Sequence, residues 1–500
     1  MKLSDLTEVP ASALRSAGQF AAGLTTPVVR LGVTGLSRAG KTVFITALVR
    51  NLVAGGRLPF FGAQAEGRII RAYLEPQPDD AVPRFAYEEH LAALAAVPPR
   101  WPDSTRQVSQ LRVTIEYEPS SRMRRIIGST LGAALGPDGA VHRLHVDIVD
   151  YPGEWLVDLA MLDQSYAEWS EQAISAARTP HRSEAARGFL ALQAGGVADG
   201  ANAEQAALTG AAVFTAYLAS ARKLEPSLST LTPGRFLMPG DLAGSPLLTF
   251  FPLDAETAQQ QPKLATLLSR RFESYKAKVI KPFFHDHFAR LDRQIVLMDA
   301  LSAINTGPAG INDLAQAMTA VLAAFKPGTN TWLSSIFRRR IDRIMFAATK
   351  ADHLPQTSHD RLEALLRSLS EQAMQRAMFA GAEVKVLALS ALRATRDADV
   401  KSGNTTLACI AGTPLAGEQL GTKLFDGRTE TVLFPGDLPA DPAAYFRQPT
   451  SFDNGDDVAM RALRFAPPRI VLANADGTAP PMPHIRLDRA IEFLIGDKLS

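Results

Sequence analysis

Residues 35–42 place Gly35, Gly40, Lys41 and Thr42 at the spacing GxxxxGK[ST], and each of these residue types has a use in gripping phosphate. The glycines let the backbone turn tightly enough for successive N–H groups to converge on phosphate oxygens. Lys41 adds a mobile positive charge, and the Thr42 hydroxyl can ligate Mg²⁺. The run "VVRLGVT" before the motif reads as a strand and "VFITALVRNL" after it as a helix, whose positive end then faces the same anion. The residues expected around the phosphates are Gly35, Ser37, Arg38, Ala39, Gly40, Lys41, Thr42 and Val43.

Phosphate held in this way calls for a carboxylate at the end of a neighbouring strand, to hold the metal's water shell. In "LHVDIVDYPGEW" an alternating apolar run ends at Asp150, and Gly153 follows at DxxG spacing, where its backbone N–H can reach a terminal phosphate. Asp147, inside the run, is expected at an edge or facing solvent and receives no role. Thr105 in "PPRWPDSTRQVSQLRV" stands directly before another strand, where a threonine can approach the metal. Arg100 and Arg106 nearby are either solvated or cations that act on a transferring phosphate in cis.

A third group of residues points to the base. "RIMFAATKADHL" is an apolar strand that ends in Thr349, Lys350 and Asp352. The Asp352 carboxylate can accept two hydrogen bonds from the adjacent ring N–H and exocyclic amine of guanine, whereas adenine offers no such pair and would leave a buried carboxylate unpaired. Lys350 can lay its aliphatic stem along the base. One strand further on, Ser390, Ala391 and Leu392 stand where a loop can brace the other edge of the base.

These groups need a scaffold that brings strand ends together. Strand-like runs at 28–34, 107–117, 143–149, 294–300, 341–348 and 384–389 alternate with helical patterns at 42–54, 311–325 and 358–378, which is the pattern of an α/β sheet with crossover helices. Alanine-rich, helix-periodic sequence fills 156–292 and reads as a helical insertion. The Pro- and Gly-rich spacer 55–100 holds a helix at 86–96, and "HIRLDRAIEFLIGDKL" closes the chain as an amphipathic helix. The expected division is an N-terminal segment 1–27, a nucleotide-binding half 28–155, the insertion 156–292, a second half 293–395 and a C-terminal extension 396–500.

Composition narrows the class. Five hundred residues exceed what one ordinary core covers. A formal charge of +2 is too small to attract nucleic acid over the whole chain, and no nucleic-acid partner is expected. The single cysteine, Cys409, excludes an internal disulfide framework. "HDHF" at 285–288 puts His285 and His287 on different helix faces, so they do not form a metal pair. No run approaches the roughly 18 apolar residues of a membrane helix, and a soluble cytoplasmic protein is expected. Weak amphipathic character between Leu14 and Leu24 leaves a peripheral contact with the inner membrane face open. Short basic clusters, Arg122, Arg124 and Arg125 in one and Arg338, Arg339, Arg340 and Arg343 in the other, are solvated or meet an anionic partner.

Taken together, "GLSRAGKTVFITALV", "WPDSTRQVSQLRV", "DIVDYPGEWLVDLAML", "RQIVLMDALSAIN", "FAATKADHL" and "HIRLDRAIEFLIGDKL" resemble the YcjX family of bacterial proteins, within the Ras-like GTPases. The resemblance implies a P-loop NTPase fold of the Ras-like type, with helices flanking the sheet and a large α-helical insertion. It also implies GTP or GDP with Mg²⁺ as ligands, an association with bacterial stress responses, and a protein effector or regulator that it does not identify. By position, Thr42, Thr105 and Asp150 then face the metal, and Lys41, Thr105 and Glu154 are the catalytic candidates. Many Ras-like enzymes carry a water-orienting glutamine where this chain has Glu154, whose charge opposes a nucleophile unless it is protonated or turned away. A slow GTPase switch is the leading expectation. The alternatives are a binding module stabilised by nucleotide, with negligible hydrolysis, and an ATPase. Oligomeric state is left open.

Overall fold

The computed structural model describes residues 26–35, 38–103, 107–120, 141–195, 202–224, 230–305, 307–323, 341–403, 405–438, 441 and 462–500. Ser37, Thr105 and Arg106 lie outside the described residues, as do the stretch 14–24 and the arginine clusters apart from Arg343.

The centre is a seven-stranded, mostly parallel sheet. Its strands are β1 (Val28–Gly35), β2 (Ile69–Glu75), β3 (Ser109–Tyr117), β4 (His142–Asp150), β5 (Arg293–Met298), β6 (Arg343–Ala348) and β7 (Glu383–Ala388), in the order β2-β3-β4-β1-β5-β6-β7. β4, β1, β5, β6 and β7 run parallel, while β3 is antiparallel to both β4 and β2. All six residues of β5 are buried, as expected of a central parallel strand covered on both faces. β2 is an addition to the expected set. It sits at the sheet edge inside the spacer 55–100, and its half-exposed residues give too weak an apolar alternation to mark it in the sequence.

The principal helices are α1 (Lys41–Val53), α2 (Tyr87–Ala95), α3 (Gly153–Val157), α4 (Tyr166–Ala177), α5 (Arg187–Gly195), α6 (Ala203–Ala221), α7 (Pro262–Tyr275), α8 (Pro308–Ala323), α9 (His359–Phe379) and α10 (Leu487–Ile495). Among the described residues, the connection from β4 to β5 contains helices and turns but no strand. Local sequence sets several of their starts. Ser165 and Glu168 close a capping box on α4, Asn202 caps α6, and α7 opens with Pro262.

Each face of the sheet has its own apolar layer. On one face, Val296, Met298, Ile344 and Phe346 join α8, α9 and the β4–β5 helices in one continuous core. Aromatic rings fill its far end, where Trp169 stacks on Phe272 at 5.3 Å between centroids and meets Phe250 edge-on at 5.4 Å. On the other face Leu31, Val33, Ile295, Leu297 and Met345 pack against α1 and α10. Arg293 anchors α10 at the base of the sheet. It is buried, donates to the Leu494 carbonyl at 3.1 Å and pairs with Asp497 at 2.8 Å and with Asp342. After β7 the chain forms a small antiparallel sheet from β8 (Arg396–Ser402), β9 (Thr405–Gly412) and the short strand Thr431–Leu433.

Register carries the functional consequence. Val33 lies opposite Asp150, Gly35 opposite Leu297, Met298 opposite Ala348, and Ala348 opposite Ala388. The motif-bearing loops therefore leave the sheet along one rim, at the C-terminal strand ends. Chain order also reverses there on either side of β1, which is where open α/β sheets form a ligand crevice.

Candidate functional site

The phosphate end is built by the turn from β1 into α1. Gly40 caps the helix with φ +78°, a left-handed conformation that a side chain would strain. A Cβ on Gly35 would meet the Ala39 and Lys41 Cβ atoms at 3.3 and 3.4 Å, so the two motif glycines keep the loop close to its own helix. The Lys41 ammonium lies 2.5 Å from one Asp150 oxygen and donates to the Tyr151 carbonyl at 3.1 Å. Asp150 is only 1% exposed, yet neither of its oxygens accepts a well-angled hydrogen bond, the Lys41 contact being an ion pair alone.

A carboxylate buried without donors is costly, and such groups are retained where they pair with a cation or a metal. Thr42 is buried at the first turn of α1, next in sequence to Lys41. A hydroxyl and a carboxylate that accepts no hydrogen bond form a hard-oxygen donor pair suited to Mg²⁺, which keeps several waters and takes other ligands from phosphates. Among the described residues no group of three or more His, Cys, Asp or Glu assembles into a cage.

A cavity of about 360 Å³ opens over this turn. Its walls include Gly35, Arg38, Ala39, Gly40, Lys41, Thr42 and Val43 at one end and Thr349, Lys350, Asp352, Ser390, Ala391 and Leu392 at the other. The volume suits a small ligand. A larger groove of about 860 Å³ lies between the β4–β5 helices and α8 and α9, but none of the motif residues lines it. The chemistry is concentrated in the smaller cavity.

At the base end, Thr349 donates through both its backbone N–H (2.9 Å) and its hydroxyl (3.2 Å) to the Met298 carbonyl, tying the β6 loop to the end of β5. Lys350 has left-handed backbone, φ +60°, and its ammonium pairs with Asp299, so the stem expected along the base is fixed by a partner the sequence did not reveal. Asp352 is 2% exposed. One of its carboxylate oxygens accepts from the Ala394 N–H at 2.8 Å, and its carbonyl accepts from the Thr395 hydroxyl. The Ser390 hydroxyl donates to the Leu392 carbonyl at 3.0 Å, and Ser390 exchanges backbone bonds with Ile485.

The C-terminal extension completes the wall with Leu415, Arg464 and Phe465. The Trp101 indole donates to the Phe465 carbonyl at 2.8 Å, and the half-buried His353 ring meets Phe465 edge-on at 4.9 Å. Desolvation also holds the His353 imidazole below its ordinary pKa.

A sequence profile described as "YcjX-like family, DUF463" matches residues 29–499. The chain belongs to this family. It is 37% identical over 484 residues to a protein of Escherichia coli (strain K12) called "Ras-like GTPase YcjX", with 94% of this chain and 96% of that protein covered. A protein of the same name from Shewanella oneidensis (strain MR-1) is 36% identical over 495 residues, covering 94% and 95%. Among the described residues no helix is long and apolar enough to cross a membrane.

In this YcjX-like chain the segment after Asp150 is held by the β4–β5 helices. Gly153 is buried at the start of α3, between Pro152 and Glu154, which both line the cavity. Glu154, whose charge opposes an approaching nucleophile, lines the cavity and pairs with Arg222 at 2.9 Å. Arg222 caps the C-terminus of α6 and lines the same cavity. The Arg235 guanidinium stacks 3.4 Å over the Trp155 ring, and a Cβ on Gly234 would run into the Glu154 carbonyl.

One expectation needs correction. Asp147 is buried and forms a two-pronged bridge with Arg112 at 2.6 and 2.8 Å, because β3 covers the edge it was expected to occupy. Arg100 is exposed and is not part of the cavity wall, although Trp101 and Pro102 beside it are, which agrees with the solvated alternative.

Asp158 joins α3 to the helices most tightly. Fully buried, it accepts from the Tyr275 hydroxyl at 2.6 Å and the Gly234 N–H at 2.8 Å. Burial pushes its carboxyl up to about 7, opposed by those hydrogen bonds and by nearby Arg235. The folded pKa lies above the unfolded one, so the native state binds more protons between the two values. That contribution to stability is present at low pH and is lost as pH rises toward about 7. Thermal melts from pH 5 to 7.5 are therefore expected to show wild-type stability falling relative to Asp158→Asn; parallel curves would exclude the shift.

Proposed function

We propose that the cavity binds GTP or GDP with Mg²⁺, and that the protein is a slow GTPase whose nucleotide state is relayed to the β4–β5 helices. The observation that carries this reading is the position of the Asp352 carboxylate. It is buried at the closed end of the cavity that Lys41 and Thr42 open, with one oxygen held by Ala394 and the rest of the group available to the N–H edge of a guanine. The names of the two relatives agree with guanine nucleotide chemistry.

In this reading the α1 N-terminus, Gly35, Arg38, Ala39 and Gly40 cradle the phosphates, and the Lys41 ammonium moves from Asp150 onto them. Mg²⁺ held by Thr42 and Asp150, with Thr105 as a further candidate, would neutralise charge on the transferring phosphoryl group. The Gly153 N–H then meets the terminal phosphate, and the Ser390–Leu392 loop braces the base. Chemistry is then mostly positioning and electrostatics, consistent with slow turnover. Asp158, Arg235 and Gly234 link the segment that senses the terminal phosphate to the turn at 234–235 and to α7. That linkage supports a conformational switch with the β4–β5 helices as the responding insertion.

Single-turnover phosphate release from preloaded GTP tests the enzymatic part. Release within hours is expected, at on the order of 10⁻⁴ to 10⁻² s⁻¹. No release over that time, with Glu154→Gln equally inert, would reduce the protein to a nucleotide-stabilised binding module.

A further inference from the structure

Resting on the guanine nucleotide reading above, we infer that Arg222 is the cation that stabilises the transferring phosphoryl group in cis. Neither arginine singled out near Thr105 supplies this charge among the described residues, since Arg100 is exposed and not part of the cavity wall and Arg106 lies outside them. Arg222 does reach the cavity, from the position that caps the C-terminus of the 19-residue helix α6. Its guanidinium is 2.9 Å from the carboxylate of Glu154. Glu154 directly follows Gly153, whose N–H meets the terminal phosphate in the reading above, and both Glu154 and Arg222 line the cavity, which in that reading puts the pair next to the reacting phosphate.

The pair also answers the electrostatic objection to Glu154. An unpaired carboxylate at this position would repel both the triphosphate and an approaching nucleophile. With Arg222 against it the pair is neutral, and Glu154 becomes an acceptor that can position a water. A guanidinium has five donors in a planar fork, so one edge can stay on Glu154 while the other faces the γ-phosphate.

In the step itself the water oxygen forms a new bond to the γ-phosphorus. The bond from that phosphorus to the β–γ bridging oxygen breaks, its electron pair leaving on GDP, and the water proton passes to a phosphate oxygen released with inorganic phosphate. Arg222 meets the charge that grows on the equatorial and bridging oxygens. Because Arg222 belongs to α6, catalysis requires the β4–β5 helices to be docked, which couples the state of those helices to turnover.

The test compares full-length wild type, Arg222→Ala and Arg222→Lys. GDP affinity, single-turnover GTP hydrolysis, and capture of GDP with aluminium fluoride are each read from methylanthraniloyl-labelled nucleotide or phosphate release. Arg222→Ala is expected to slow hydrolysis at least about 100-fold and to abolish aluminium fluoride capture, with GDP affinity within about threefold of wild type. Arg222→Lys keeps the charge without the two-edged fork, is expected to be at least about tenfold slow, and carries the comparison if the alanine variant does not fold. Wild-type turnover with both variants within about threefold of it would overturn the role of Arg222 and leave the guanine site standing. A wild type that binds GDP but neither hydrolyses GTP nor captures aluminium fluoride would overturn the hydrolysis reading and this inference together.

Discussion

Replacing Asp352 by asparagine is expected to exchange guanine for xanthine as the preferred base. The Ala394 N–H donates to one carboxylate oxygen at 2.8 Å, so the amide introduced by Asp352→Asn would keep its oxygen there and turn its NH₂ toward the cavity. That NH₂ would then oppose the N–H donors of guanine, donor against donor in a buried site. Xanthine presents a carbonyl in place of the exocyclic amine and can accept from it. Sites built on such hydrogen bonds discriminate strongly, so GDP affinity should fall roughly 100-fold or more while XDP comes to bind more tightly than GDP. Competition against labelled GDP and labelled XDP reads both numbers. Equal loss for the two nucleotides would mean that Asp352 supports the loop without reading the base.

Lys41→Ala should produce two separable losses. The variant removes the cation that the phosphates need, and nucleotide affinity is expected to drop at least about 100-fold, given that charge-assisted contacts in a cavity are among the strongest available. It also strands Asp150, which is 1% exposed and pairs with Lys41 at 2.5 Å. Removing one partner of a buried pair costs about 3–5 kcal/mol, so the nucleotide-free variant should unfold at markedly lower urea concentration. Adding Asp150→Asn should restore most of that stability without restoring binding. Full stability in Lys41→Ala alone would show that the Lys41–Asp150 pair is not what holds the nucleotide-free site together.

How much of this was legible in the sequence depended on whether a residue's partner was local. The parallel strands were readable because buried runs such as "IVLM" are continuously apolar, and the cradle because its glycines, Lys41 and Thr42 stand within eight residues of one another. Asp150 and Asp352 were readable as polar residues closing apolar strands. β2 was not, since an edge strand facing water on one side carries Arg71 and Tyr73 for Glu116 instead of an apolar row. Asp299 was absorbed into a strand expected to run to residue 300, whereas β5 ends at Met298 and frees Asp299 to hold Lys350.

Long-range partners left no local trace at all. Trp101 bonds to the carbonyl of Phe465, 364 residues away, and Arg222 meets Glu154 across 68 residues. A tryptophan in a proline-rich loop and an arginine at a helix end are ordinary by composition, and only the folded chain gives them a common wall. Asp158 is similar. Its neighbours in sequence say nothing of Tyr275 or Gly234, yet those two residues fix it where α3 meets the β4–β5 helices.

The central claim is that one cavity reads guanine at Asp352 and phosphate at Lys41. Isothermal titration of the nucleotide-stripped full-length protein with GDP and with ADP, each with Mg²⁺, tests it most directly. GDP is expected to bind at least about 100-fold more tightly than ADP, because adenine would leave the buried Asp352 carboxylate without its donors. ADP binding as tightly as GDP would contradict the account.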